Sequence, residues 1–202
     1  MWTGFDIIPS SHLTLALEEI STHLTDLDNQ LETFQKTNQT EALPYETYND
    51  DLALARLLKG VATRELHYPT CATIIPVNEL VVIKPTTAQI SQLTFASKQL
   101  SFITAIADQI ELDHWILPYA RFELGQLHMR LGNYKSARKE FKAAKNGGYT
   151  DTETGIIRKR YSMENALHLK MHNCVVKLSV LEKLAGISVE DSDEEEKIED
   201  SD

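Results

Sequence analysis

His168 and His172 stand four residues apart in a stretch with helical spacing, so both rings could face one metal ion. A zinc site of the HExxH kind needs a glutamate directly after the first histidine. Leu169 stands there instead, and neither His114 nor His128 offers a clear third ligand, which leaves ordinary surface or interhelix histidines. Cys71 and Cys174 have no motif spacing and suit a reducing compartment. Cys174 falls on an apolar stripe and reads as a core thiol. No G-x-x-x-x-G-K phosphate loop, nucleophile elbow or CxxC occurs, and Gly147-Gly148 reads as a helix stop. The expectation is a non-enzymatic chain with no catalytic residue, metal or cofactor.

The basic residues carry more information. Lys135, Arg138, Lys139 and Lys142 share one helix face at spacings of three and four, and Arg158, Lys159 and Arg160 precede the last helix. This is either a solvated outer face or a docking face for an acidic protein, an anionic membrane surface or nucleic acid. Nucleic acid fits worst, because no aromatics are interleaved with these bases and the net charge is −10. Residues 121–189 hold thirteen bases against six acids, whereas residues 1–120 hold fifteen acids against six bases. From Glu190 to Asp202 there are nine acids and one lysine. That tail is tethered beside the basic segment, so it either solubilises the chain or acts as an electrostatic latch on the basic face. Ser188 and Ser192 precede acids and resemble acidophilic kinase sites, where phosphate would add about two negative charges each.

These residues need elements to hold them. A chain of 202 residues, 42% apolar and 25% charged, is ordinary for one or two soluble globular domains. That composition excludes collagen, a disulfide scaffold and a wholly disordered chain. No dense apolar run approaches the ~20 residues of a spanning helix, and the N-terminus lacks a signal-peptide pattern. From Ser11 to Lys36, Leu13, Leu17, Ile20, Leu24, Leu27, Leu31 and Phe34 alternate steps of four and three. That stripe predicts one long helix, packed either within its own chain or as a parallel coiled coil. Asn49 or Asp50 should cap a second helix to Leu66, with Leu54, Leu57, Leu58 and Val61 as its stripe. Pro69, Pro76 and Pro85 break the next stretch into short turns or a hairpin. Helical spacing returns from Thr86 to Leu112 at Ile90, Leu93, Ala96, Leu100, Ile103, Ile106 and Ile110. The last helix spans Ser162–Leu184, with Leu167, Met171, Cys174 or Val175, Leu178, Leu181 and Leu184 as its buried face. Beyond Val189 apolar residues nearly vanish, which predicts disorder.

Between Trp115 and Tyr149 the spacing fits the 34-residue tetratricopeptide pattern of two antiparallel helices. With Ala137 at the twentieth position, Leu124 and Gly125 fall on the seventh and eighth. Gly132 and Tyr134 then take the fifteenth and seventeenth, Phe141 the twenty-fourth and Ala144 the twenty-seventh. Arg121, His128 and Tyr149 depart from the usual tryptophan, tyrosine and proline. The small residues let two helix backbones approach while Leu124 and Phe141 fill the contact. One repeat cannot bury its own faces, so flanking helices must supply further layers. Leu58, Gly60 and Ala72 hint at a degenerate earlier repeat. A carboxylate clamp for chaperone tails is unsupported, since Phe122 and Gln126 hold the fifth and ninth positions.

Four blocks together resemble the inclusion body clearance protein family, which includes tetratricopeptide repeat protein 39. They are MWTGFDIIP at the start, DDLALARLLKGVATREL from Asp50, DHWILPYARFELGQLHMRLGNYKSARKEFKAAKN from Asp113 and RYSMENALHLKMHN from Arg160. The YSME string at Tyr161–Glu164 is the most distinctive. The resemblance implies an all-α stack of tetratricopeptide-like hairpins over residues 1–186, with an insertion at 69–109; the acidic tail at 187–202 lies outside the match and is expected to be disordered from its composition. It implies a non-catalytic protein-interaction scaffold of cytoplasm and nucleus, associated with clearance of protein aggregates and with lipid-droplet proteins. Some members carry a mitochondrial outer-membrane label, which makes a peripheral membrane adaptor the alternative. Family members are usually longer, so the chain is expected to match their C-terminal part.

Overall fold

The computed structural model describes residues 8–38, 41–68, 85–147, 161 and 163–187. They form six α-helices: α1 Ser10–Asn38, α2 Tyr48–His67, α3 Thr87–Ala105, α4 Ile116–Arg130, α5 Tyr134–Lys145 and α6 Glu164–Leu184. A 3-10 turn, Ala107–Gln109, lies between α3 and α4, and no strand occurs among the described residues. The described residues are therefore all-helical in their regular structure, and neighbouring helices pack in order along the chain. The expected turns or hairpin at 69–84 and the expected tail lie outside the described residues, as do Cys71, Arg158, Lys159, Arg160, Ser188 and Ser192.

Helix α1 spends its long stripe on its own chain. Leu24 and Leu27 are buried against Tyr48, Leu52 and Ala55 of α2, with Ile20 and Leu31 packed at the margin. The Tyr48 hydroxyl donates to the Leu27 carbonyl at 3.1 Å, which satisfies a buried polar group at this contact.

Helix α2 is the central element, with α1, α3 and α4 around it. Leu57 and Val61 are buried as expected, and so are Ala53, Ala55, Ala62, Asp50, Arg64 and Glu65. Neither Asn49 nor Asp50 caps the helix: Thr47 holds the N-cap position and makes no side-chain capping bond. Asn49 instead donates to Gln109 Oε1 at 3.2 Å. The Asp50 carboxylate accepts the backbone N–H groups of Glu111, Leu112 and Asp113 at 3.1, 2.9 and 2.7 Å. Those three donors turn to Asp50 rather than to carbonyls one turn back. The helix expected to reach Leu112 accordingly stops at Ala105.

Helix α3 opens with a capping box, Thr86 Oγ1 accepting from Gln89 N and Gln89 Oε1 from Thr86 N. It runs antiparallel to α2, since Asn49 meets Gln109, Arg56 meets Gln99 and the His67 carbonyl meets Gln89. Leu93, Ala96, Leu100 and Ile103 are fully buried. Ile90, expected on the same stripe, is exposed, because α2 ends opposite the first turn of α3.

Helices α4 and α5 form a tight antiparallel pair across Leu131–Asn133, where Gly132 adopts a φ of 78° that favours glycine. Asn133 sits at the N-cap of α5 without a side-chain capping bond. Helix α6 lays Leu167, Met171, Leu178 and Leu181 into the core, with Cys174 and Val175 partly buried beside them. Leu184 does not join them and is exposed. It comes six residues after Leu178, a rotation of about 120° away from the buried direction.

Candidate interaction surface

Every residue expected to set the helix-pair contact lies at the α4–α5 junction. Leu124, Tyr134, Ala137, Phe141 and Ala144 are buried, and Gly132 makes the turn. A Cβ on Gly125 would stand 2.5 Å from Cε1 and 2.6 Å from Cδ1 of Phe141, so only glycine admits that ring. Phe141 also packs on Phe122, with ring centroids 5.9 Å apart. Arg121, at the usual tryptophan position, reaches Glu140 of α5 at 3.0 Å instead. Burial lowers the pKa of His128, against the pull of Glu140.

The α2–α3 pair repeats this arrangement. A Cβ on Gly60 would stand 2.8 Å from Cγ and 2.9 Å from Cδ2 of Leu100, and 3.3 Å from the Ala96 carbonyl oxygen. Leu93, Ala96, Leu100 and Ile103 have the spacing of Tyr134, Ala137, Phe141 and Ala144, and all eight are buried. Gly60 and Leu100 are forty residues apart in the chain, whereas Gly125 and Phe141 are sixteen. Gly60 is thus matched by a helix much later in sequence than Ala72, which lies outside the described residues.

The basic face is smaller than its sequence spacing predicts. Lys135, Lys139 and Lys142 are exposed on α5. Arg138 is not part of an open face: its guanidinium is paired with Glu182 of α6, Nε donating at 3.1 Å, with Ser179 Oγ beside it. Glu182 is only 3% exposed, so this pair pins α5 to α6. Spacing placed Arg138 with the lysines, but its side chain lies where the next helix arrives.

Sequence spacing missed a buried ionic cluster. Arg64 and Glu65 of α2 and Glu123 of α4 are each at most 5% exposed, and Arg64 pairs with both carboxylates. Gln126 donates to Glu123 Oε2 at 3.0 Å. Nearby, Arg130 donates to the Tyr68 carbonyl at 2.8 Å, and its guanidinium lies 4.9 Å from the centroid of that ring. Burial, with Arg64 adding to it, pulls the Arg130 pKa well below its usual value. Burial likewise pushes the Cys174 thiol up. The sequence offers no signal for it: α2 also carries Asp50, Asp51, Arg56 and Lys59, and charge reads as surface until a partner 59 residues away is known.

Among the described residues, no three His, Cys, Asp or Glu side chains are grouped to hold a metal ion. No helix there is long and apolar enough to cross a membrane. Glu164, four residues before His168, approaches it at 3.9 Å. No family model and no solved structure matches the chain.

Proposed function

We propose that the chain is a non-enzymatic, tetratricopeptide-type scaffold that binds other proteins through stacked helical hairpins. The observation that supports it is the duplicated contact, a glycine of one helix against a side chain of the next, with the same buried spacing on α3 and α5. Stacked repeats of this kind present extended surfaces rather than closed catalytic pockets. Phe122 and Gln126 are buried, so the positions of a carboxylate clamp are not open to a ligand.

The cellular role rests on the resemblance of the four sequence blocks. It is participation in clearing misfolded-protein inclusions with lipid-droplet proteins, in cytoplasm and nucleus. Proximity labelling with the full-length protein, with and without folding stress, tests that role. Stress-dependent labelling of aggregate-associated or lipid-droplet proteins is the expected result; recovery of neither class refutes it. The alternative is a peripheral adaptor at a lipid-droplet or mitochondrial outer-membrane surface, favoured by exposed Lys135, Lys139 and Lys142. Flotation with anionic liposomes, lost on exchange of these lysines for glutamate, would favour it.

A further inference from the structure

Helix α6 carries two apolar stripes and its core contacts use only one. Leu167, Met171, Leu178 and Leu181 face the core. About 180° around the helix stand Leu169, Val176 and Val180, at steps of seven and four. Leu169 is 68% exposed and Val176 42%, exposed Leu184 borders them, and exposed Ile187 follows just past the helix end at Gly186. A surface helix of a globular protein needs one apolar face; one that is apolar on two sides has a second element to cover. Helix α2 shows the arrangement, with α1 on one side and α3 on another.

The charges beside the outer stripe specify what fits. His172 and Lys183 are exposed along one border, and Lys177 lies half-buried along the other. The two acids of α6 turn to the opposite side: Glu182 is buried against Arg138, and Glu164 lies beside His168. The outer half of α6 therefore presents an aliphatic stripe bordered by bases and by no acid. We propose that this face docks an amphipathic helix of a partner protein whose apolar stripe is flanked by glutamate or aspartate.

A second copy fits less well in either orientation. Two α6 faces would set lysines against lysines. The outer face of α1 offers one large exposed apolar residue, Leu15, among Glu18, Glu19, Asp26 and Glu32, too little to cover the stripe. The stripe also contains no tryptophan, tyrosine or phenylalanine of the sort that anchors a helix in a bilayer interface. Its steps of seven and four, with Leu184 beside them, are what a facing helix reads.

The partner class rests on the scaffold reading, but the surface is testable without it. Two synthetic amphipathic peptides of about 18 residues, or five turns, would share one leucine–isoleucine stripe, with glutamate flanks in one and lysine flanks in the other. Anisotropy with the full chain at low salt should show the glutamate peptide binding about tenfold tighter or more. Val176→Glu should weaken it by a similar factor, and Lys177→Glu with Lys183→Glu should reverse the ranking. All three positions are at least partly solvent-exposed, and unchanged circular dichroism and melting would show that the fold persists. Equal affinity for both peptides, or no binding of either, overturns the proposal. A concentration-dependent dimer abolished by Val176→Glu, with neither peptide bound, assigns the face to a second copy instead. Flotation on phosphatidylserine vesicles with the same mutational loss and no peptide binding assigns it to a bilayer. Peptide binding that survives while proximity labelling fails would retire the cellular role and leave this surface standing.

Discussion

Replacing Gly125 by alanine tests the closest helix contact in the chain. The added Cβ would lie 2.5, 2.6 and 3.0 Å from three carbons of the Phe141 ring. Ordinary carbon–carbon contact begins near ~3.5 Å, so the ring must retreat by about 1 Å. Phe141 is 2% exposed and backed by Phe122, and a rigid ring has no flexible end that can yield. Overpacking of this kind costs about 1–3 kcal/mol, and this geometry belongs at the upper end. Alanine returns about 1 kcal/mol of helix propensity lost at glycine. The expected net loss is about 2 kcal/mol. In a protein of this size that lowers the thermal midpoint by roughly 4–8 °C. Urea unfolding followed at 222 nm should show a lower midpoint with an unchanged slope. Truncating the ring first should remove the penalty: in a Phe141→Leu background, Gly125→Ala should be neutral or stabilising by up to about 1 kcal/mol. A Gly125→Ala protein as stable as the parent, or more stable, would show that the helices do not approach this closely.

Gly60→Ala should cost less than Gly125→Ala in the same urea assay, because the Leu100 side chain can shift where the Phe141 ring cannot; equal or larger loss would contradict this. Arg138→Ala should destabilise by roughly 2–3 kcal/mol by leaving Glu182 buried and unpaired, below the fully buried case because the arginine is partly exposed. Lys139→Ala should stay within about 0.5 kcal/mol, and equal effects at the two sites would refute a stabilising role for the Arg138–Glu182 pair. Burial alone would raise the Asp50 pKa, but three backbone N–H donors outweigh it and hold it below the ordinary 3.8. The folded value being the lower one, its stabilisation is complete above pH 3.8 and is lost as pH falls through the folded value. Asp50→Asn should cost about 1.5–3 kcal/mol at pH 7, since the amide presents a donor to the Glu111 N–H, and should flatten the acid limb of a pH–stability curve.

Local contacts were the legible ones. The α4–α5 pair could be read because Gly125 and Phe141 are joined by one short turn, so the repeat pattern and the contact coincide in sequence. The equivalent α2–α3 contact was hidden by its longer connection. Spacing directly after Gly60 points to Ala72, whereas the matching spacing begins at Leu93. The stripe of α1 was legible, with Leu13, Leu24 and Leu27 buried and the rest half-buried, but its partner was not, because a seven-residue repeat fits a neighbour in the same chain as well as a second chain. Polar residues resist reading for one reason: Arg138 and Asp50, which spacing assigns to other roles, and Arg64 and Glu123, to which it assigns none, each take their position from a distant partner, and periodicity carries no information about it. The α4–α5 packing residues of the candidate site were thus foreseeable, and the reduction of its basic face was not.

The buried ionic cluster acts on alignment more than on strength. Exchanging a buried ion pair for apolar residues is often neutral or stabilising, so Arg64, Glu65 and Glu123 are poor evidence of added stability. Their effect falls on misaligned packings. Leucine against leucine tolerates a slip of one helical turn, about 5.4 Å. The same slip would draw Arg64 away from Glu123; Arg64 keeps Glu65 of its own helix, but Glu123 would stay in a dry interior with no cation, at a cost of about 3–5 kcal/mol. The cluster keys α2 to α4 at one setting, much as a notch fixes the depth of a bolt. Layers on either side inherit that setting, so an error between two central helices would not be passed outward to the surface that α6 presents.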